Sequence, residues 1–292
     1  MLMNFVKRKI SQSIQLIRDF RKFRRDGGVV YCPLTFCDPS MRFIGKKVLV
    51  VGGSSGMGLQ IVKDFLEEGA IVVMTGRNKE KLNDVQNSLS NTNLHTMTMD
   101  IADVETIQPC IEKVNMQLGG IDIFVNCAGV LKHNKISNKY GEETFDYDYV
   151  MGINHRGIYH LCKYEGDYLI KKHIKGRIVN ISSVAGERLI CDPYTLSKWG
   201  VNVMTKGLAK QLAPYGICVN AVAPGRVPSS IDQQHENLNF EDNAFCGFHK
   251  NHRLIHPKEI AGLVLYLCSD LASSIIGQVI GIDGGFKRDE LI

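Results

Sequence analysis

The chain has 292 residues, 44% hydrophobic and 22% charged, with 28 glycines and only eight prolines. That is the make-up of one ordinary globular domain, and it excludes disordered and collagen-like chains. No apolar run approaches the roughly 20 residues that span a bilayer, so no transmembrane segment is predicted. The net charge of +5 is uneven. Residues 1–25 hold eight Lys/Arg and one acid, Asp19, which makes that tail +7 and leaves −2 for the rest. A nucleic-acid partner would need its cations on the folded body, so none is expected.

The first 42 residues read as a basic, partly helical extension. Within 4–25, Val6, Ile10, Ile14 and Ile17 recur at helical spacing among Lys and Arg. The stretch lacks the apolar core of a secretory signal, which leaves an organelle presequence, a peripheral membrane contact, or an arm packed on this or a partner chain. The nine cysteines contain no CxxC pair and no Cys/His group at zinc spacing, so no metal is expected. Free thiols favour a reducing compartment, and a cytoplasmic location is the reading.

From 43 to 292 short β-branched runs alternate with amphipathic stretches. The strand-like runs are 47–52, 70–75, 94–99, 121–126, 177–182, 217–222 and 278–282. Helical spacing covers 57–69, 78–89, 103–118, 142–174, 193–213 and 257–269. This alternation predicts an α/β fold, a single doubly wound Rossmann-type domain whose seven-stranded, mostly parallel sheet is covered by helices on both faces. The interval 226–256 matches no regular element and reads as a substrate loop.

Gly52, Ser54, Ser55, Gly56, Met57 and Gly58 lie between the first strand and a helix. Glycines there let backbone approach a pyrophosphate, and the helix N-terminus presents N–H groups to it. After the second strand stands Arg77 with no acid beside it, which favours NADP(H), with NAD(H) the other candidate. Arg77 also reads as a solvated residue opening the next helix. Asp100 and Ile101, after the third strand, would face the adenine, although Asp100 reads equally well as a helix cap.

Tyr194 and Lys198 are one helical turn apart, a spacing that suits proton transfer because an ammonium beside a phenol favours phenolate. Alone the pair is weak. It is accompanied, in order, by the glycine turn, Asn126-Cys127-Ala128-Gly129, Asn154, Ser182-Ser183, Pro224-Gly225 and Asp283-Gly284-Gly285. That ordered set resembles the short-chain dehydrogenase/reductase family over about residues 43–286. The resemblance implies hydride transfer between a nicotinamide cofactor and a small carbonyl or alcohol substrate. It implies Tyr194 as general acid/base, Ser183 as the hydroxyl steadying the substrate oxygen, and Lys198 as the group that holds the nicotinamide ribose and lowers the tyrosine pKa. Asn154 would hold a water relaying protons to Lys198. Gly52, Gly56, Gly58, Asn126, Ala128, Gly129, Pro224, Gly225 and Val227 would line the cofactor, and a homodimer or homotetramer would form through 142–174 and 193–213.

Three departures stand out. Val51 replaces the usual threonine before the turn, Cys127 replaces the second asparagine, and the 11 residues from Ser183 to Tyr194 are fewer than the family's usual number. A 3-oxoacyl thioester reductase, with Lys250, His252 and Arg253 as a basic patch for an acidic carrier, and a non-catalytic NADP(H)-binding regulator are the alternatives. Arg188 and Arg226 near the expected pocket could meet an anionic substrate or be exposed structural arginines.

Overall fold

The computed structural model describes residues 42–131, 136–137, 143–144, 147–228, 246 and 248–286, and helical backbone at 14, 17, 18 and 21. Contacts divide the chain into two units, Met1–Phe36 and Cys37–Ile292. In the first, the described Ile14 and Ile17 are exposed. Most of the basic extension and positions 229–245 of the expected substrate loop lie outside the described residues.

The second unit is built on seven parallel strands, β1 (Lys47–Val51), β2 (Ile71–Gly76), β3 (Leu94–Thr98), β4 (Ile123–Asn126), β7 (Arg177–Ile181), β8 (Cys218–Pro224) and β9 (Val279–Ile282). Their order is β3-β2-β1-β4-β7-β8-β9. A separate pair, β5 (Ile136–Ser137) and β6 (Glu143–Thr144), is antiparallel. Val48 and Val50 of β1 face one core, while Leu49 and Val51 face the other, because successive strand side chains alternate. Both faces are covered, as a parallel sheet requires. Helices α1 (Gly56–Glu67), α2 (Lys79–Leu89) and α7 (Pro257–Cys268) seal the first core, with Ile61, Phe65, Leu82 and Val264 buried. Helices α3 (Ile107–Leu118), α5 (Ile158–Lys171) and α6 (Pro193–Leu212) seal the second.

One expected element is wrong as drawn. The stretch 142–174 is not one helix: Glu143–Thr144 pairs in β6, α4 is Tyr147–Met151, a π turn spans Gly152–Gly157, and α5 follows. Periodicity carries across a π turn almost unbroken, so the pattern hides it. Such turns widen the backbone spiral and are frequent at functional sites.

The order reverses beside β1: the chain steps outward from β1 to β2 and β3, then crosses back to β4 on the other side of β1. In open parallel sheets ligands settle at the carboxyl end of that reversal. Gly52 and Ala128 meet there.

Candidate active site

The glycine turn is set by backbone contacts. Gly52 and Gly53 both donate N–H to the Thr75 carbonyl, at 3.0 and 3.1 Å, and these bonds tie the turn where Val51 offers no hydroxyl. Gly52 has φ +81°, and a Cβ on it would lie 2.7 Å from Ala128 N; one on Gly58 would lie 2.1 Å from the Gly52 carbonyl oxygen. Only glycine permits both approaches. Gly56 opens α1 with φ +52°. Bare backbone at a helix N-terminus suits the pyrophosphate of a dinucleotide. Ser54 Oγ stands beside Gly76, 3.1 Å from where a Cβ would be, and so lies next to Arg77.

Arg77 is exposed and donates to the Tyr149 hydroxyl at 3.2 Å. Asp100 accepts the Ala102 N–H at 3.0 Å and so holds its own turn, while Asn78, not Arg77, caps α2. Ile101 and Val227 place their side chains in the two cores, leaving only backbone for a ligand. Met57 packs partly against the first core.

At the other half of the sheet edge the groups are side chains. Asp192 caps α6 through the Thr195 N–H, and Pro193 occupies the first turn. Tyr194 and Lys198 follow on one face. Ser183, an extended residue after β7, accepts the Ala185 N–H at 3.1 Å, and its hydroxyl lies near enough to the Tyr194 phenol to influence its ionisation. Neighbouring Ser182 is turned away, donating to Asn202 Oδ1 at 2.6 Å, so Ser183 is the serine presented to the site. Lys198 is buried, donates to the Ile181 carbonyl at 3.1 Å and stands 5.6 Å from the Tyr194 ring centroid. A Cβ on Gly129 would come 3.4 Å from Asn154 Oδ1 and 3.6 Å from Lys198 Nζ, so glycine keeps that space open.

Burial lowers the Lys198 ammonium to about 8, against a small opposing effect of Cys127. Burial raises the Tyr194 phenol, the nearby Ser183 hydroxyl draws it back, and Asp192 adds to the rise. Of these influences desolvation is the largest.

Asn154 sits in the π turn with its amide matched to the Val130 backbone, accepting its N–H at 2.8 Å and donating to its carbonyl at 2.7 Å. Its Nδ2 also reaches Ser197 Oγ at 3.3 Å. The side chain thus fixes the loop after β4, and the one bond that Oδ1 accepts leaves it a second lone pair. Asn126 lies deeper, donating to Glu165 and Asn180, both at 2.9 Å. That network was not foreseen from the motifs. Its signal was the spacing of Ile158, Leu161, Cys162, Glu165 and Leu169, which turns Glu165 inward.

Of the basic patch, Lys250 and His252 are exposed. Arg253 forms a two-pronged pair with Glu259, at 2.6 and 2.8 Å, with 42% of its side chain still exposed. Among the described residues the seven cysteines are free thiols.

A family model described as enoyl-(acyl carrier protein) reductase matches residues 51–287. The chain belongs to the short-chain dehydrogenase/reductase family. It is accordingly an NAD(P)-dependent oxidoreductase. It is 35% identical to a 3-oxoacyl-[acyl-carrier-protein] reductase of Thermotoga maritima over 84% of this chain and 99% of that one. The same-named protein of Aquifex aeolicus is 32% identical over 82% and 97%. The crystal structure of gox2181 aligns with TM-score 0.74 at 26% identity, covering 85% of this chain and 98% of that one.

Proposed function

We propose that this chain is an NADPH-preferring reductase of a small carbonyl compound, with Tyr194 as proton donor. The observation that carries this is the placing of Tyr194 beside the Ser183 hydroxyl, with the buried Lys198 ammonium 5.6 Å from its ring centroid. Gly52, Ser54, Ser55, Gly56, Met57 and Gly58 would hold the pyrophosphate, Arg77 the 2′-phosphate, the Asp100–Ile101 backbone the adenine side, and Ala128, Gly129, Pro224, Gly225 and Val227 the nicotinamide half. The nicotinamide supplies the hydride. Tyr194 Oη gives its proton to the substrate oxygen, and its raised pKa keeps that proton in place near neutrality. Ser183 uses an acceptor site on Ala185 N–H, which leaves its O–H to point at Tyr194 or at a substrate oxygen. Asn154 holds the loop that faces Lys198.

Replacing Tyr194 by Phe is expected to lower turnover by about 10²–10⁴-fold while NADPH affinity stays within about twofold. The check is steady-state reduction of a ketone panel beside a fluorescence titration with NADPH and NADH. Near-native turnover would remove Tyr194 from the role, and equal affinity for the two cofactors would remove Arg77 from its own.

A second reading, reduction of a 3-oxoacyl thioester, is favoured by the names of the Thermotoga and Aquifex relatives. Thioesters belong in the same panel. For assembly we infer a homodimer or homotetramer, supported by the exposed Leu196, Trp199 and Val203 of α6 and Tyr159 of α5. A cytoplasmic location is supported by the free thiols. Among the described residues no helix is long and apolar enough to cross a membrane.

A further inference from the structure

The carboxyl edge of the sheet carries two cations that the chemistry above does not use. Arg188 ends the short 3₁₀ turn that begins after Ser183, and Arg226 follows Gly225 at the end of β8. Both guanidiniums stand over the ring of Phe248, Arg226 at 4.7 Å and Arg188 at 5.4 Å from its centroid. Phe248 in turn stacks on Phe286 at 5.1 Å, and Arg188 lies 6.0 Å from that second ring.

A guanidinium stacked on a ring uses its flat face, while its N–H donors lie in its plane and remain open. No acid among the described residues pairs with Arg188 or Arg226. Arg188 Nε is buried with no hydrogen-bond partner among the described residues, a state that is costly to maintain unless a ligand completes it.

Both arginines are also anchored at their backbones. The Trp199 indole N–H donates to the Arg188 carbonyl at 2.7 Å. His249, fully buried, accepts the Arg226 N–H on Nε2 at 2.9 Å, and its Nδ1 lies 2.6 Å from the Arg253 carbonyl oxygen. A Cβ on Gly225 would fall 2.4 Å from His249 Nε2, so the glycine is what admits the imidazole. Two planar cations held beside the serine and the nicotinamide segment make a fork for an oxyanion.

We propose that Arg188 and Arg226 form an anion-binding subsite next to the reacting centre, so that the carbonyl compound reduced here carries a carboxylate or phosphate at its other end. This rests on the reductase reading, and the test separates the two. Calorimetry on the full chain, with and without NADP⁺, would compare 5-oxohexanoate with its methyl ester and dihydroxyacetone phosphate with dihydroxyacetone. Which pair shows the difference identifies the anion. The expected result is one anion bound about tenfold or more tighter than its neutral partner. Arg188→Met and Arg226→Met keep an apolar chain over Phe248 and should each erase most of that margin. Arg188→Lys keeps the charge without the fork and should retain part of it.

Anions bound no tighter than their neutral partners, or a margin unchanged in both methionine variants, would overturn the subsite. NADPH oxidation with the same compounds tests the underlying reading. Carbonyls reduced without anion preference leave the reductase and remove the subsite. An anion held through the arginines with no carbonyl reduced leaves the subsite and removes the reductase.

Discussion

Lys198 and Glu165 are both buried ionisable groups on helices packed against the same core, and burial drives both toward neutrality. Lys198 falls to about 8 and Glu165 rises to about 8. Their surroundings differ. Lys198 Nζ stands across from Gly129, whose missing side chain keeps the space before it clear, and beside Tyr194, whereas Glu165 is sealed among Asn126, Cys162 and Asn180. A perturbed pKa marks a buried group, and only the space in front of it tells whether the perturbation can act on a ligand. The comparison predicts that altering Lys198 changes chemistry and altering Glu165 changes stability alone.

The largest effect is expected from Lys198→Met. Turnover should fall by about 10²-fold or more, because the ammonium that would hold the ribose and face Tyr194 is gone. Stability should move the other way. A lysine whose folded pKa lies below its unfolded value costs stability at every pH below about 8, and the cost is relieved as pH rises toward about 10.5. Removing it should therefore stabilise the chain at pH 7 by roughly 1–3 kcal/mol, less the loss to the Ile181 carbonyl. Urea unfolding at pH 7 reads the sign. A less stable variant would mean that the ammonium is well satisfied where it stands. In the wild-type chain, cofactor affinity should weaken as pH climbs through about 8 and Lys198 loses its charge.

Much of this edge was legible beforehand, for identifiable reasons. The seven strands carry β-branched runs that nothing but a buried sheet would accommodate, and Gly52, Gly58, Ser183, Tyr194 and Lys198 stand at strand ends or on one helical face. The π turn at 152–157 escaped because it barely disturbs a 3.6-residue pattern. The Asn126–Glu165–Asn180 network escaped because each member reads singly as polar surface, although the stripe of α5 points Glu165 inward. His249 carries no signal at all, since its role depends on the approach to Gly225 from a segment distant in sequence.

Glu165→Gln sharpens the other half of the comparison. Asn126 Nδ2 donates to Glu165 Oε2, while Glu165 Oε1 and Asn126 Oδ1 have no partner among the described residues. The proton that burial keeps on Glu165 gives this cluster a donor. With a folded pKa above the unfolded one, the folded state retains a proton that the unfolded state releases. The contribution is therefore intact below about 4.5 and is lost as pH rises to about 8. Wild-type stability should fall over that window by about 2–4 kcal/mol more than that of the glutamine variant, with no change in turnover per folded enzyme. Parallel pH profiles of urea midpoint for the two chains would show that Glu165 ionises without penalty, and a loss of turnover would join it to the site.

Thr75 extends the comparison to a group with no charge to lose. It is fully buried at the end of β2, its carbonyl accepts the two turn amides of Gly52 and Gly53, and its hydroxyl has no hydrogen-bond partner among the described residues. Valine has the same shape and would remove only the unsatisfied oxygen, leaving the backbone bonds that shape the glycine turn. Thr75→Val should thus stabilise the chain by about 1 kcal/mol and leave NADPH affinity unaltered, as read by thermal unfolding and fluorescence titration. Weaker NADPH binding in this variant would place the hydroxyl in the cofactor cleft.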